Sequence, residues 1–293
     1  MKKNKFLFCI GLLLTVATIV NAQSVTWISS TEGNVWQKSK VKLQSKSEQN
    51  PVLQVDGTEN GVAFKNWGTT FNELCWDALG LLTRTEQDEI LYNIFSPQGD
   101  LRITRGRISM GANDYARSWY SCDEVEGDFE LRYFNINRDK QTIIPFIRAA
   151  QKYNPNLTFW ISPWCPPSWM KINGDYPVLS SPFNSLSEKQ NYLLYGATGG
   201  QVDENEMKLT GARDGVFPRQ LATTDFMIQD PRYLQTYADY FCRFIDAYKE
   251  QGIPIDMVMY QNEAYSYTPY PGCAWTATGT IRFNKEYLAP TLR

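Results

Sequence analysis

Apolar and polar residues in the later part of the chain follow the order of an amphipathic helix, a short turn and a buried strand. Asp230 and Pro231 supply a helix cap and a proline at the first helical position. The apolar residues behind them recur at helical spacing on one face: Tyr233, Tyr237, Phe241, Phe244, Ile245 and Tyr248. An apolar run at 255–259 then predicts a buried strand, and a polar cluster behind it ends on Glu263.

Earlier segments repeat this rhythm. The pattern predicts strands at 62–64, 101–108 and 157–162, and helices at 85–95 and 139–153. Thr85 with Asp88 resembles a capping box for the first of these helices, and residues 66–74 resemble a glycine-containing turn. A loop of roughly sixty residues then runs from Pro163 to the next helix, and a loop of that length is usually functional or carries small elements of its own. A last helix is predicted from Thr278 onwards.

Alternation of strands and helices predicts a parallel sheet with right-handed crossovers. A carboxylate at the carboxyl end of a buried strand is how a parallel α/β barrel displays an acid for catalysis. About four units fit before Arg293, so we expect about the first half of an eight-unit barrel. Residues 24–56 instead alternate apolar and polar positions, which predicts short antiparallel strands too few to be stable alone.

The amino-acid composition limits which catalytic groups and cofactors the protein can use. The chain has 293 residues, 43% of them hydrophobic, which is enough for a large core. It has no histidine, which excludes Ser-His-Asp and Cys-His nucleophile pairs and histidine-based zinc motifs. If the protein is an enzyme, carboxylates, tyrosine, cysteine or lysine must then carry the acid–base work, and two carboxylates suffice for the hydrolysis of neutral sugars. No motif supports a metal, nucleotide or flavin, so we expect no cofactor.

The amino terminus has the pattern of a secretory signal. Three lysines precede an apolar run at 6–20, and small residues predict cleavage after Ala22. The expected location is secreted or periplasmic, and no second long apolar segment predicts a membrane span. Without the signal, 26 basic residues face 31 acidic ones, a net charge of −5. That balance argues against nucleic acid and anionic membranes as partners and fits a neutral substrate.

Five cysteines remain without Cys9, and no two of them form a CxxC pair. Cys75 and Cys242 lie in apolar contexts and are expected to be small core residues. Cys122 and Cys273 lie in predicted loops. A disulfide between these two is left open, with no feature of the sequence in its favour.

Four segments together resemble glycoside hydrolase family 30, the glucosylceramidase family. They are 107–116, with an arginine followed by Asp114; 161–174, with Ser-Pro-Trp and Trp-Met-Lys-Ile-Asn-Gly; the Gln-Asn-Glu of 261–263; and 270–292. Several long motifs in the same order are far more specific than a single Asn-Glu pair. The loop at 66–69 departs from the family pattern, where many relatives have more glycines.

The resemblance implies a (β/α)8 barrel, of which residues 60–293 form the first half. Residues 23–59 would contribute strands to a small β-sandwich beside the barrel, and residues 1–22 would be the signal peptide. The resemblance also implies retaining hydrolysis of β-glucosides, with Glu263 as general acid and then base. Asp114, Trp164 and Asn262 match positions that hold the sugar. Without the resemblance, these three residues would be expected to cap a loop, plug the core and close a turn.

The family's nucleophile lies on a later strand, beyond Arg293, so we expect this chain alone to be inactive. The expected partner is a β-linked oligosaccharide, polysaccharide or glycolipid. Two alternative activities are a β-1,6-glucanase and a β-xylosidase or xylanase of the same family. An alternative of another class is an inactive carbohydrate-binding remnant.

Overall fold

The computed structural model describes residues 24–42, 61, 63–186, 225–264 and 266–293, in two compact units, Met1–Ala63 and Phe64–Arg293. In the first unit, strands β1 (Ser24–Thr31) and β2 (Asn34–Lys42) form an antiparallel hairpin. Residues 43–56 of the segment predicted to form short strands, and the signal at 1–22, lie outside the described residues. The domain boundaries and the side sandwich stay predictions.

The second unit is built on a parallel sheet. Its strands lie in the order β3 (Gly68–Phe71), β4 (Arg105–Ser109), β5 (Thr158–Ser162) and β6 (Ile255–Val258). The helices are α1 (Glu73–Gly80), α2 (Arg84–Phe95), α3 (Ile143–Gln151), α4 (Pro231–Glu250), α5 (Ala277–Arg282), a π-helical segment (Phe283–Leu288) and α6 (Ala289–Thr291). Short 3-10 turns occupy Asp139–Gln141 and Ser168–Met170. Parallel neighbours joined through helices confirm the predicted barrel topology, of which the described residues form part.

The core lies between the sheet and its helices. The ring centroid of Phe71 on β3 lies 4.7 Å from that of Phe146 on α3 and 5.9 Å from that of Phe159 on β5. Gly106 on β4 leaves room for this packing, because a Cβ there would lie 2.5 Å from the Phe71 ring. The predicted apolar face of α4 is buried at its four central aromatic positions: Tyr237, Phe241, Phe244 and Tyr248.

The structure corrects the predicted start of this unit. The first parallel strand is Gly68–Phe71, within the segment predicted to be a turn, and 62–64 is not a strand where it is described. Glycine suits this strand because a Cβ at Gly68 would lie 3.1 Å from the carbonyl oxygen of Arg105 on β4. The helix α1 behind it was not predicted, and it begins at Asn72, whose side chain accepts from the Cys75 amide.

Three further expectations were wrong. The capping box of α2 is Thr83 with Glu86, two residues before the predicted pair. Strand β6 is the last strand of the described sheet, and its residues Asp256 and Met257 are exposed rather than buried. Cys75 is exposed because it lies on the outer side of α1, whereas Cys122 and Cys273 are buried free thiols.

Candidate active site

A cleft of about 280 Å³ lies at the carboxyl ends of the parallel strands. Each of the four strands contributes to it through residues in its carboxyl-terminal half or in the segment that follows it. The lining residues are Thr70, Asn72, Arg107, Asn113, Asp114, Tyr115, Trp164, Asn262, Glu263 and Tyr270. All four site residues predicted from the sequence are among them. Their positions are therefore brought together, while their roles stay predictions.

Glu263 presents an exposed carboxylate to this cleft from an unusual backbone conformation. Its φ angle is +50°, in the left-handed region that non-glycine residues rarely adopt. Its carbonyl oxygen accepts from the Ser266 amide at 2.9 Å, which closes a tight turn after the strand. The hydroxyl of Tyr270 donates to Glu263 Oε2 at 3.3 Å. Strained backbone at such a position is common at functional sites, where surrounding contacts hold it in place.

The segment before Glu263 is anchored by Gln261, a buried residue that bridges two loops. Its Nε2 donates to the carbonyl of Trp164 at 2.6 Å, and its Oε1 accepts from the indole nitrogen of Trp275 at 3.2 Å. The Asn262 amide donates to the carbonyl of Pro163 at 2.8 Å. These bonds connect the segment behind β6 to the segment behind β5. The residues directly before the tight turn at Glu263 are therefore held in place.

Arg107 on β4 orients the side chain of Asn262. Its Nη2 donates to Asn262 Oδ1 at 2.6 Å and to Ser162 Oγ at 2.7 Å. The guanidinium also lies over two indole rings, 4.1 Å from the centroid of Trp164 and 4.9 Å from that of Trp160. Because the amide oxygen of Asn262 is engaged by Arg107, its Nδ2 group is the one that can donate to a bound sugar.

Asp114 and Trp164 occupy different environments. Asp114 is exposed, behind a turn in which the Tyr115 amide donates to Asn113 Oδ1 at 2.8 Å. Trp164 is only 7% exposed, and Arg107 packs against its ring. It therefore lines the cleft as a largely buried wall.

The charges in the cleft influence one another. Burial lowers the pKa of Arg107, while the nearby carboxylates of Asp114 and Glu263 counteract this. Burial and then the charge of Glu263 raise the pKa of Tyr270 to about 12. The guanidinium thus provides a positive charge between two carboxylates, and the phenol stays protonated at neutral pH.

Sequence reasoning did not assign a role to Arg107 or Tyr270. Both lie inside segments that carried the family resemblance, so their signal was present without a function attached to it. Asn72 was also missed, because its segment was predicted to be a turn rather than the carboxyl end of a strand. Within the described ranges, no cluster of three metal-binding side chains occurs, and no helix there is long and apolar enough to cross a membrane.

The parallel strand order and the cleft at the strand ends place the second unit in the class of (β/α)8 barrels, of which the described residues form part. Residues 64–181 match the model of the glycosyl hydrolase family 30 TIM-barrel domain. This match and the similarity to glucosylceramidase-named proteins support an assignment of this segment to glycoside hydrolase family 30.

Individual relatives agree with this assignment. A Caenorhabditis elegans protein provisionally named glucosylceramidase 4 is 27% identical over 85% of this chain and 40% of that protein. Endo-1,6-beta-D-glucanase neg1 of Aspergillus fumigatus is 25% identical over 84% of this chain and 45% of that protein. The structure of the endo-beta1,6-glucanase BT3312 superposes with a TM-score of 0.61 and 20% identity, covering 92% of this chain and 49% of that one. This chain spans less than half the length of the relatives named here.

Proposed function

We propose that the cleft belongs to a retaining β-glycosidase that acts on β-glucosides in the manner of a glucosylceramidase. The observation that carries the proposal is the convergence of Asp114, Trp164, Asn262 and Glu263 on one cleft at the ends of three adjacent parallel strands. Nothing in the sequence order of these residues requires them to meet. A sugar-binding site needs such a meeting of carboxylate, amide and aromatic groups.

Each residue has a distinct role in this proposal. Glu263 protonates the glycosidic oxygen as it leaves and later removes a proton from the attacking water. Asp114 accepts hydrogen bonds from sugar hydroxyls, and Asn262 donates from Nδ2 to the 2-hydroxyl. Trp164 forms the apolar wall against which the sugar ring rests.

Retention also needs a nucleophilic carboxylate about 5 Å from the acid. Among the described residues that line the cleft, the carboxylates are Asp114 and Glu263. Asp114 is engaged with sugar hydroxyls in the proposed complex. We therefore propose that this chain by itself binds a glucoside without turning it over, and that turnover requires a further carboxylate.

A second substrate is favoured by one comparison. The Aspergillus relative is named an endo-1,6-beta-D-glucanase, at an identity close to that of the glucosylceramidase-named proteins. β-1,6-Glucan is therefore the alternative substrate, and no observation on the described residues favours xylosides. Export through the segment at 1–22 belongs to the same proposal, because both glycolipids and glucans are met outside the cytoplasm.

Calorimetric binding of a glucose-configured iminosugar to the chain tests the site. Asp114→Asn is expected to weaken binding roughly 10-fold or more, because a hydrogen bond to a charged group contributes about 1.5–3 kcal/mol. Asp246→Asn, which removes an exposed carboxylate on α4, is the matched control. Absence of binding, or equal binding by Asp114→Asn and the parent chain, would overturn the proposal.

Hydrolysis of an aryl β-glucoside tests the acid. The chain alone is expected to give no turnover. Turnover that disappears in Glu263→Gln would show that the chain is competent after all, while still supporting the role of Glu263. Turnover that persists in Glu263→Gln would contradict that role, and Glu250→Gln at the exposed end of α4 controls for the loss of a carboxylate.

A further inference from the structure

Tyr270 contacts the candidate acid from a position seven residues further along the segment behind β6. Its hydroxyl donates to Glu263 Oε2 at 3.3 Å, and both side chains line the cleft. Glu263 sits on a left-handed backbone residue in a turn, so no regular element fixes the direction of its side chain. The hydrogen bond from Tyr270 is then a direct way to restrict the rotamers of Glu263.

The backbone around Tyr270 is itself held firmly. The Tyr270 carbonyl accepts from Thr268 Oγ1 at 3.0 Å. Pro271 forms an isolated antiparallel bridge with Pro177, and the Gly272 amide donates to the Tyr176 carbonyl at 3.1 Å. On the other side of the bridge, the Val178 amide donates to the Thr268 carbonyl at 2.9 Å, so the segment behind β6 is bound to the segment behind β5 on both sides.

A buried lysine holds the segment behind β5 to which the Tyr270 segment is bound. Lys171 is 2% exposed, and its Nζ donates to the carbonyls of Tyr176 and Pro177 at 2.7 and 3.1 Å as well as to that of Asp175. Three donors of an ammonium group thus meet three backbone carbonyls. The turn they close presents the backbone to which Pro271 and Gly272 are attached.

We propose that Tyr270 is a positioning residue that aims the Glu263 carboxyl, with its hydroxyl placed by the loop that Lys171 closes. This inference rests on the proposed function, in which Glu263 transfers a proton. A carboxylic acid carries its proton on one oxygen. Because the phenol donates to Oε2, that oxygen keeps the role of acceptor, and the transferable proton is left on Oε1.

This arrangement holds in both protonation states of the acid. When Glu263 is ionised, Oε2 accepts as a carboxylate oxygen; when it is protonated on Oε1, Oε2 accepts as a carbonyl oxygen. Tyr270 neither gains nor loses a proton in the cycle. Its raised pKa, due first to burial and then to Glu263, keeps it a donor throughout.

Fluorine NMR on the chain tests the contact without any turnover. A fluorinated tyrosine, whose phenol ionises at a lower pH than tyrosine itself, is placed at position 270 and titrated. Glu263→Gln is expected to lower its midpoint by roughly 0.5–1 pH unit, because an adjacent negative charge is removed. Glu250→Gln is the control. An unchanged midpoint in Glu263→Gln would overturn the inference.

Steady-state kinetics on the form of the protein that hydrolyses glycosides tests whether Tyr270 orients the Glu263 carboxyl. After native folding is verified by circular dichroism, Tyr270→Phe is expected to lower kcat about 10-fold for an alkyl glucoside and far less for an activated aryl glucoside, which needs little protonation. Tyr133→Phe, at an exposed tyrosine outside the cleft, is the control. Equal losses on both substrates would contradict positioning of the acid. If no glycoside is hydrolysed by any form, the proposed function fails, and the fluorine titration still decides whether Tyr270 holds Glu263.

Discussion

At the scale of single residues, Arg107 connects more of the cleft than any one predicted site residue does. It contacts Ser162 and Asn262 by hydrogen bonds and Trp160 and Trp164 by its planar face. A planar guanidinium can do both at once, whereas an ammonium group cannot stack on an indole in the same way. The orientation of the Asn262 amide therefore depends on the residue type at 107, and charge alone does not suffice.

Arg107→Lys is predicted to lower the free energy of unfolding by about 1–2 kcal/mol and to weaken iminosugar binding, because Asn262 loses the donor that orients it. Denaturant unfolding and calorimetry measure the two effects. Arg105→Lys is the matched control two residues earlier on β4: its partner Asp256 is half exposed, so a change below about 1 kcal/mol is expected. Equal effects of the two substitutions would contradict the role given to Arg107.

At the scale of elements, the start of a helix depends on a single hydrogen-bonded residue, and the start predicted for α2 at Thr85 was two positions too late. Thr83 and Thr85 both precede an acidic residue by three positions. The structure selects Thr83, whose amide donates to Glu86 Oε2 at 2.8 Å while its hydroxyl caps the Glu86 amide. The Gln87 side chain also donates to the carbonyl of Leu82, the residue before this cap.

The two threonines give a direct comparison. Thr83→Ala is predicted to destabilise the chain by about 1 kcal/mol, because a helix amide loses its capping oxygen. Thr85→Ala, at an exposed position inside the first turn, is expected to change stability by less than about 0.5 kcal/mol. Thermal or urea unfolding of the two variants measures the difference. The reverse order would show that the cap lies at Thr85.

At the scale of the whole unit, two buried carboxylates join the loops of neighbouring strands. Glu73 is fully buried and accepts two hydrogen bonds from Arg138, at 2.8 and 2.7 Å. Burial alone would raise the pKa of Glu73, but the bonds from Arg138 and from the Arg117 amide lower it overall. Its contribution is therefore present above its unfolded pKa and is lost as the pH falls through the lower folded value.

The pKa of Asp139 is shifted in the opposite direction from that of Glu73. It is fully buried and accepts from the hydroxyls of Tyr120 and Tyr248, at 2.7 and 2.6 Å, yet burial raises its pKa to about 6. The folded state then holds a proton that the unfolded state releases, so stability falls as the pH rises from about 4 to about 6. A difference of about two pH units corresponds to about 3 kcal/mol.

Asp139→Asn is predicted to flatten the dependence of stability on pH between about 5 and 6, because the buried group can no longer ionise. Urea unfolding at several pH values in that window measures the slope, and the window lies above the range where Glu73 contributes. Asp246→Asn serves as the matched removal of an exposed carboxylate. An unchanged slope in Asp139→Asn would show that Asp139 does not titrate there.

The sequence by itself determined the strand–helix alternation, the cap of α4 at Asp230 and the residues that end on the polar cluster at Glu263. It could do so because hydrophobic period and capping chemistry are local properties of the chain. It misplaced the first parallel strand, because a four-residue strand with glycine is recognisable only from the backbone it pairs with, here that of Arg105 on β4.

Only the tertiary structure decided which side chains share the cleft. Residues 107, 164, 262 and 270 meet because parallel strands bring their carboxyl ends to one edge of the sheet, which no local pattern encodes. The surroundings of Glu263 were likewise set by contacts that no local pattern predicts: Gln261 is held by the distant carbonyl of Trp164, and the carboxyl of Glu263, whose backbone is left-handed, accepts from the hydroxyl of Tyr270. Hydrogen bonds between residues distant in sequence fix such geometry, since each requires both partners to be in place.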